Sequence, residues 1–138
     1  MKEVTTYLTF DGTTRAAMAF YGKALGIEPF FQTYAEANCG APAQFGERIV
    51  HAAIRRGNSP ILMASDVMPG GDFQQGNNFS VCIACESQEE ADRLFAALGE
   101  NGKVTLAMQD MFWGAYFGML IDQFGVGWMF NFERPKAG

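Results

Sequence analysis

The stretch Ala17-Met-Ala-Phe-Tyr-Gly-Lys-Ala-Leu25 decides the fold, because a similar stretch, Ala91-Asp-Arg-Leu-Phe-Ala-Ala-Leu98, follows it about 74 residues later. In both stretches apolar residues recur every three or four positions, which is typical of a helix with one buried face. The sequence around each stretch also has the same order of elements. The chain is therefore predicted to be internally duplicated.

Around the first stretch, the sequence predicts one strand before the helix and three strands after it. The helix is predicted over 14–25, with Thr13 or Thr14 as its cap and Gly26 as its stop. The strands are predicted over 4–10, 27–34, 48–56 and 59–66, with a loop over 35–46 and a tight hairpin turn at Gly57-Asn58.

The second half repeats this order after a glycine-rich segment. Ser87-Gln-Glu-Glu90 resembles a capping box at a helix start, and Gly99 follows the apolar stripe of that helix. The strands of this half are predicted over 78–85, 103–109, 116–122 and 126–132.

These elements predict an α+β fold of two tandem βαβββ modules with mixed sheets. We expect a single domain over 1–138, with module one at 1–67, a linker at 68–77 and module two at 78–134. A helix covers only one face of each sheet, so the other, apolar face must be buried against the second module or a second subunit. We therefore expect a cleft between the modules.

Composition and charge exclude several classes of partner. The 138 residues carry 10 Lys and Arg against 15 Asp and Glu, a net charge of −5, which argues against a nucleic-acid partner. No apolar run approaches the roughly 20 residues of a membrane span, so no membrane partner is predicted. The three cysteines are an odd number in a chain without a secretory signal, which favours free thiols and a cytoplasmic location.

Motifs spread over nearly the whole chain resemble one known family. They are Tyr7-Leu8-Thr9-Phe10, Phe20-Tyr21, Val50-His51-Ala52, Leu62-Met63-Ala64-Ser65-Asp66, Gly76-Asn77-Asn78-Phe79, Gly102-Lys103-Val104, Gln109-Asp110-Met111-Phe112-Trp113-Gly114, Phe117-Gly118-Met119 and Asp122-Gln123-Phe124-Gly125-Val126-Gly127-Trp128-Met129. This set resembles the PhnB-like branch of the glyoxalase/bleomycin resistance/dioxygenase superfamily, also called the vicinal oxygen chelate superfamily. The resemblance implies the duplicated βαβββ plan and a homodimer, because superfamily members commonly pair modules across subunits. A ubiquinone-methyltransferase name is sometimes attached to this branch, but no glycine-rich loop for a methionine-derived cofactor follows a strand here.

The resemblance also raises the question of a metal. Superfamily enzymes bind a divalent ion through four side chains, usually His, Gln or Glu, on the first and last strands of each module. The corresponding positions align with Thr6, Met63, Phe79, give or take one residue, and Met129. A register error of one residue would substitute Thr5, Tyr7, Asn78 or Ser80, none of which supplies a His or Glu. These residue types are poor ligands for Fe, Mn, Ni or Zn, so no metal site and no cofactor are predicted. The alternative is a divalent ion bound through residues that this alignment misses.

Six residues are predicted to bind a small-molecule ligand: His51, Met63, Asp66, Phe112, Trp113 and Met129. His51, the one histidine, is interpreted either as a hydrogen-bonded residue on a half-buried strand or as an acid, base or orienting group in a pocket. For Asp66 we weigh a place at the mouth of the cleft against turn formation. Phe112 and Trp113 have three possible roles: stacking on a flat ligand, filling the core or anchoring a dimer.

The cysteines do not form an obvious site. Cys82 and Cys85 are spaced as Cys-x-x-Cys, but alternation along a strand points them to opposite faces, so neither a redox nor a zinc role is predicted. Cys39 lies in the long loop and is expected to be exposed.

Three functions remain open at this stage. The first hypothesis is a small-molecule-binding protein whose cleft is kept while the metal ligands are lost, with His51, Met63, Trp113 and Met129 lining an apolar pocket. The second is a metal-dependent glyoxalase-like lyase, isomerase or transferase. The third is a dimeric protein whose cleft is filled by its own Phe and Met side chains. The sequence decides neither whether catalysis occurs nor which ligand binds.

Overall fold

A computed structural model describes residues 1–136, so the last two positions of the predicted domain lie outside the described residues. The chain divides into two compact units between Gln74 and Gln75, a point inside the predicted linker. Each unit contains one four-stranded mixed sheet and one long helix, in the same order along the chain. The predicted α+β fold of two similar modules is confirmed.

The first unit is a four-stranded sheet with one long helix packed on it. Its elements are β1 (Thr6–Phe10), α1 (Thr14–Leu25), β2 (Phe30–Thr33), the short helix α2 (Tyr34–Ala37), a 3-10 turn at Ala43–Phe45, β3 (Ile49–Arg56) and β4 (Ser59–Asp66). The strand order is β1-β4-β3-β2, in which β1 and β4 are parallel and the other pairs are antiparallel. Helix α1 contacts β3 and β4.

Helix α1 has the predicted bounds because both of its ends are fixed by local chemistry. Gly26 adopts a left-handed conformation with φ of 73° and donates its N–H to the carbonyl of Gly22, which ends the helix. The start differs from the prediction, because the Thr13 side chain makes no capping hydrogen bond. The Asp66 carboxylate accepts the N–H of Thr14 instead. The buried side of α1 includes Ala17, Met18, Tyr21 and Ala24.

The segment after α1 corrects two predictions. The strand predicted over 27–34 is only β2, and the predicted loop over 35–46 contains α2 and the 3-10 turn. A capping box causes the change from strand to helix: Thr33 Oγ1 accepts the Glu36 N–H at 3.1 Å, and Glu36 Oε1 accepts the Thr33 N–H at 2.9 Å. The backbone hydrogen bond from Thr33 also lowers the pKa of the Glu36 carboxyl from its usual value.

The second unit has the same layout. Its elements are β5 (Val81–Ala84), α3 (Gln88–Leu98), β6 (Lys103–Asp110), β7 (Ala115–Ile121) and β8 (Gly127–Glu133). The strand order is β5-β8-β7-β6, and β5 and β8 are parallel. The strand predicted over 78–85 is shorter than expected at both ends. Ser87 caps α3 as predicted, by accepting the Glu90 N–H at 3.1 Å.

Alternation along the strands gives each sheet a helix-covered face and an opposite face. In β1, Leu8 and Phe10 are both 3% exposed, whereas Tyr7 between them is 46% exposed. In β8, Trp128 and Phe130 are fully buried, and Met129 between them is half-buried. The faces opposite α1 and α3 are therefore where side chains remain available for a function. Within residues 1–136, no helix is both long enough and apolar enough to cross a membrane.

Candidate ligand-binding site

One row of side chains crosses the first sheet on the face opposite α1. Tyr7 on β1 pairs with Met63 on β4, which pairs with Ala53 on β3, which pairs with Phe30 on β2. His51 is two residues before Ala53 and points to the same side. We call the surface formed by these five residues the first open face. Two predicted site residues, His51 and Met63, are brought together on it.

The first open face carries one polar pair among apolar side chains. Tyr7 Oη and His51 Nδ1 are 3.1 Å apart, within hydrogen-bond distance. The two rings are inclined by only 25°, with their centroids 5.8 Å apart, and the Phe30 ring lies 6.5 Å from the imidazole. Tyr7 and Phe30 are 46% and 55% exposed, and His51 is half-buried. This arrangement places two nearly parallel rings and a third ring, inclined by 54° to the imidazole, around one hydrogen-bonding group.

Tyr7 is a residue that the sequence analysis did not select. Its signal was present in the alternation of β1, because Leu8 and Phe10 define the buried side and leave Tyr7 on the other side. The alignment had placed the first-strand position at Thr6, which pairs with buried Leu62 and so lies on the α1 side. Tyr7, the neighbour of Thr6 in the chain, lies on the side opposite α1.

Asp66 lies on the opposite side of the sheet from His51 and Met63. Its side chain is 3% exposed, and it follows Leu62 and Ala64 in alternation toward α1. Its Oδ1 accepts the N–H groups of Gly12 and Thr14 and the Thr14 hydroxyl, and its Oδ2 accepts the Ile49 N–H, at 2.8–3.1 Å. The structure therefore uses this carboxylate to anchor α1 and does not bring it to the first open face.

A corresponding row crosses the second sheet on the face opposite α3. Cys82 on β5 pairs with Met129 on β8, which pairs with Met119 on β7, which pairs with Leu106 on β6. We call the surface formed by these four residues the second open face. Met129, a predicted site residue, is half-buried there, and Cys82 is exposed. Phe79, the first-strand position of this module in the alignment give or take one residue, precedes β5.

Phe112 and Trp113 lie on the tight turn between β6 and β7. Their exposed fractions are 95% and 52%, so the core-filling interpretation of this pair is wrong. The Met111 N–H donates to the Ala115 carbonyl at 2.8 Å, and Gly114 has φ of 93°, which closes the turn. The two rings meet edge to face at 5.0 Å. A turn fixed in this way presents the pair as an exposed apolar tip.

The three cysteines are free thiols in different surroundings. Cys82 lies exposed on β5, whereas Cys85 follows the end of that strand and is buried. Burial raises the pKa of the Cys82 thiol. The pKa of Cys85 is raised to about 11, first by burial and then by the Glu90 carboxylate. Both thiols are thus mainly protonated at neutral pH. Among residues 1–136, no three His, Cys, Asp or Glu side chains are grouped closely enough to hold a metal ion.

A family model, a relative and a solved structure each match nearly the whole chain. A family model described as 3-demethylubiquinone-9 3-methyltransferase matches residues 2–130. Protein YjdN of Escherichia coli (strain K12) is 36% identical over 142 residues, covering 94% of this chain and 95% of that protein. The crystal structure of protein PA1353 from Pseudomonas aeruginosa has 35% sequence identity and a TM-score of 0.84, covering 98% of this chain and 100% of that chain.

Two further structures connect this family with the fold. A putative 3-demethylubiquinone-9 3-methyltransferase, PhnB protein, from Bacillus cereus has 26% identity and a TM-score of 0.76, covering 95% of this chain and 99% of that chain. A glyoxalase/bleomycin resistance protein/dioxygenase family enzyme from Burkholderia phytofirmans PsJN, at 15% identity and a TM-score of 0.64, shares the fold, with 94% of this chain and 98% of that chain covered. The chain therefore belongs to the family described as 3-demethylubiquinone-9 3-methyltransferase, a PhnB-like family with the glyoxalase/bleomycin resistance fold.

Proposed function

We propose that this protein binds a small planar organic molecule on its first open face, without a divalent metal ion. The observation that carries the proposal is the Tyr7–His51 pair, whose hydrogen-bonded rings lie exposed or half-buried beside the apolar side chains of Met63 and Phe30. Planar ligands gain most from such a surface because ring stacking adds to the burial of apolar area. The family description names a demethylubiquinone, and a quinone ring is planar and carries acceptor oxygens.

The polar pair would orient the ligand. In this proposal the neutral Tyr7 hydroxyl donates to His51 Nδ1, which leaves the imidazole proton on Nε2. The Nε2–H is then a donor for a carbonyl or phenolate oxygen of the ligand. Met63 lies in the next row position to Tyr7 and adapts its unbranched side chain to the outline of the ligand.

The divalent ion of the superfamily does not fit the residues of the two open faces. The first open face offers the Tyr7 phenol, the Met63 thioether and the His51 imidazole. The second open face offers the Cys82 thiol and the thioethers of Met129 and Met119. Neither row, as described, contains a carboxylate. Hard and borderline ions such as Mn, Fe, Ni and Zn prefer oxygen and imidazole ligands. We therefore propose that the usual metal ligands have been replaced, and we assign no step to a metal.

The remaining predicted residues take different parts in the proposal. Met129 lies on the second open face and takes no part in binding at the first open face. Trp113, which meets Phe117 edge to face at 5.7 Å, belongs to the exposed tip of the second unit. Because Phe112 and Trp113 are both exposed, we propose that this tip is the contact of a homodimer. In this proposal Asp66 anchors α1 and does not contact the ligand. The three free cysteines favour the cytoplasm as the location.

The single histidine makes the proposal directly testable by NMR. The imidazole signals of His51 need no assignment, and we would titrate them with 2-hydroxy-1,4-naphthoquinone as a planar probe. We expect a saturable shift of the His51 carbon and nitrogen signals. Replacing Tyr7 with Phe should weaken the affinity about fivefold to tenfold, because it removes one hydrogen bond that orients the imidazole.

Tyr116→Phe is the matched control, because it makes the same chemical change on the second unit, where Tyr116 Oη donates to Asp92. It should leave the probe affinity unchanged. The His51→Ala variant should bind the probe more weakly while its circular dichroism matches that of the original chain. Absence of any saturable shift, or equal effects of Tyr7→Phe and Tyr116→Phe, would rule out the first open face as the binding surface.

A further inference from the structure

Three sulfur-bearing side chains lie side by side on the second open face. Cys82, Met129 and Met119 occupy paired positions on the adjacent strands β5, β8 and β7. Paired residues on neighbouring strands point to the same side of a sheet, and the strands lie about 4.8 Å apart. The side chain of Met129 is therefore flanked on one side by a thiol and on the other by a second thioether.

We propose that Cys82, Met129 and Met119 form a binding site for a soft monovalent ion of the Cu(I) class. The site lies wholly within the second unit, so it is independent of the ligand proposed for the first open face. Thiolate and thioether sulfurs are the ligands that select Cu(I).

The geometry of the row fits one ion with three ligands. Met129 is in the middle, and both methionines have long, unbranched side chains that can turn their sulfurs toward an ion beside the shorter Cys82. Cys82 is exposed, which leaves the ion a path to the site, whereas Met119 and Met129 are half-buried. An ion bound there would be partly shielded from solvent by the two half-buried methionines and would be reached through the exposed Cys82 thiol.

The same residues disfavour the divalent ions of the superfamily. Zinc in structural sites takes four thiolate, imidazole or carboxylate ligands, and this row supplies one thiol and two uncharged thioethers. Binding of Cu(I) is a ligand exchange without oxidation or reduction. The Cu–Sγ bond of Cys82 forms as the thiol proton passes to the solvent, and each methionine donates an electron pair from its sulfur.

The test is an anaerobic titration of the protein with Cu(I) held as its bicinchoninate complex, with ascorbate as reductant. We expect the protein to remove one Cu(I) per chain from the chelator. X-ray absorption should then show three sulfur neighbours. Met119→Leu and Met129→Leu should each weaken the affinity at least tenfold, by analogy with the 10- to 100-fold effects of even outer-shell changes, and should lower the sulfur count. Cys82→Ser should abolish the competition with the chelator.

Two matched controls separate this site from general thiol binding. Cys39→Ser removes an exposed thiol in the first unit, and Met108→Leu removes a thioether whose sulfur approaches Gly118 on the α3 side of the sheet. Both should leave the affinity unchanged. Met→Leu changes conserve volume and are well tolerated, so folded variants are expected. Failure of the original chain to take Cu(I) from the chelator, or loss of binding in Cys82→Ser but not in the two methionine variants, would overturn the proposal.

Discussion

Asp66 shows how one buried carboxylate can fix a whole module. Its two oxygens accept three N–H groups and one hydroxyl from the start of β3, the start of α1 and the turn before α1, and the residue itself ends β4. A carboxylate in this position satisfies helix donors that have no partner within α1, and its negative charge lies at the positive end of the helix dipole. Asp66 therefore supports the first open face from behind without belonging to it.

Asp66→Ala should lower the free energy of unfolding by roughly 3 kcal/mol or more, because several buried donors lose a charged acceptor at once. Urea denaturation at neutral pH measures this change. Asp11→Ala is the control, since its ion pair with Arg48 is largely at the surface and such pairs contribute about 0–1 kcal/mol. Similar losses in the two variants would show that the Asp66 hydrogen bonds are not the main support of α1.

For single residues, the sequence predicted where a side chain lies on the sheet better than it predicted which groups that side chain hydrogen-bonds. His51 and Met63 were selected from motifs, and the structure places both on one face. The alternation that buries Leu62 and Ala64 also placed Asp66 toward α1, but its four donors come from residues 17 to 54 positions away. Such long-range hydrogen bonds leave no local signal. Tyr7 was not predicted as a ligand-binding residue, although the alternation of β1 places it on the side opposite Leu8.

The two long helices begin by different mechanisms although the modules share one plan. The start of α3 is capped locally, by the Ser87 side chain that accepts the Glu90 N–H. The start of α1 is capped at long range by Asp66, and Thr13 at the equivalent place makes no capping hydrogen bond with its side chain. The second helix thus carries its own start signal, whereas the first depends on β4 being in place.

This difference gives a prediction at the element scale. Ser87→Ala should lower the free energy of unfolding by about 1 kcal/mol, because it removes the only side-chain cap described for α3 within residues 1–136. Thr13→Ala, the matched change at α1, should have an effect within about 0.5 kcal/mol. Both values come from thermal or urea denaturation. Equal destabilisation by the two variants would contradict the assignment of the α1 cap to Asp66.

Signals in the local sequence at the ends of elements explain which helices and turns were predicted correctly. Helix α1 and the hairpin turn at Gly57 were predicted correctly, because Gly26 and Gly57 both adopt positive φ and mark the ends locally. Helix α2 was missed although Thr33-Tyr-Ala-Glu36 has capping-box spacing, because the β-branched and aromatic residues before it favoured a longer strand. The sheet register within each module was outside the reach of the pattern, so the sequence did not show that Thr6 pairs with Leu62 or that Phe79 precedes β5.

At the scale of the whole molecule, the two units share a plan but differ in chemistry. Each has a row that runs from its first strand through its last strand, with Tyr7 and Met63 in one unit and Cys82 and Met129 in the other. The first row combines aromatic rings with one imidazole, and the second combines sulfur atoms. One framework therefore presents two surfaces of different chemistry, so each proposed ligand is tested on its own unit.

The exposed tip at Phe112 and Trp113 carries the last prediction, that the chain forms a homodimer through this turn. Exposed aromatic residues on a closed turn are favoured as interface anchors because little side-chain entropy is lost when they are buried. Sedimentation equilibrium should give a dimer, and Trp113→Ala should raise its dissociation constant at least tenfold, because anchor tryptophans commonly contribute about 2 kcal/mol or more. Phe79→Ser is the control, since Phe79 is 51% exposed, close to the 52% of Trp113, but lies outside the tip. A monomeric original chain, or a dimer equally sensitive to both changes, would show that the tip is not the interface.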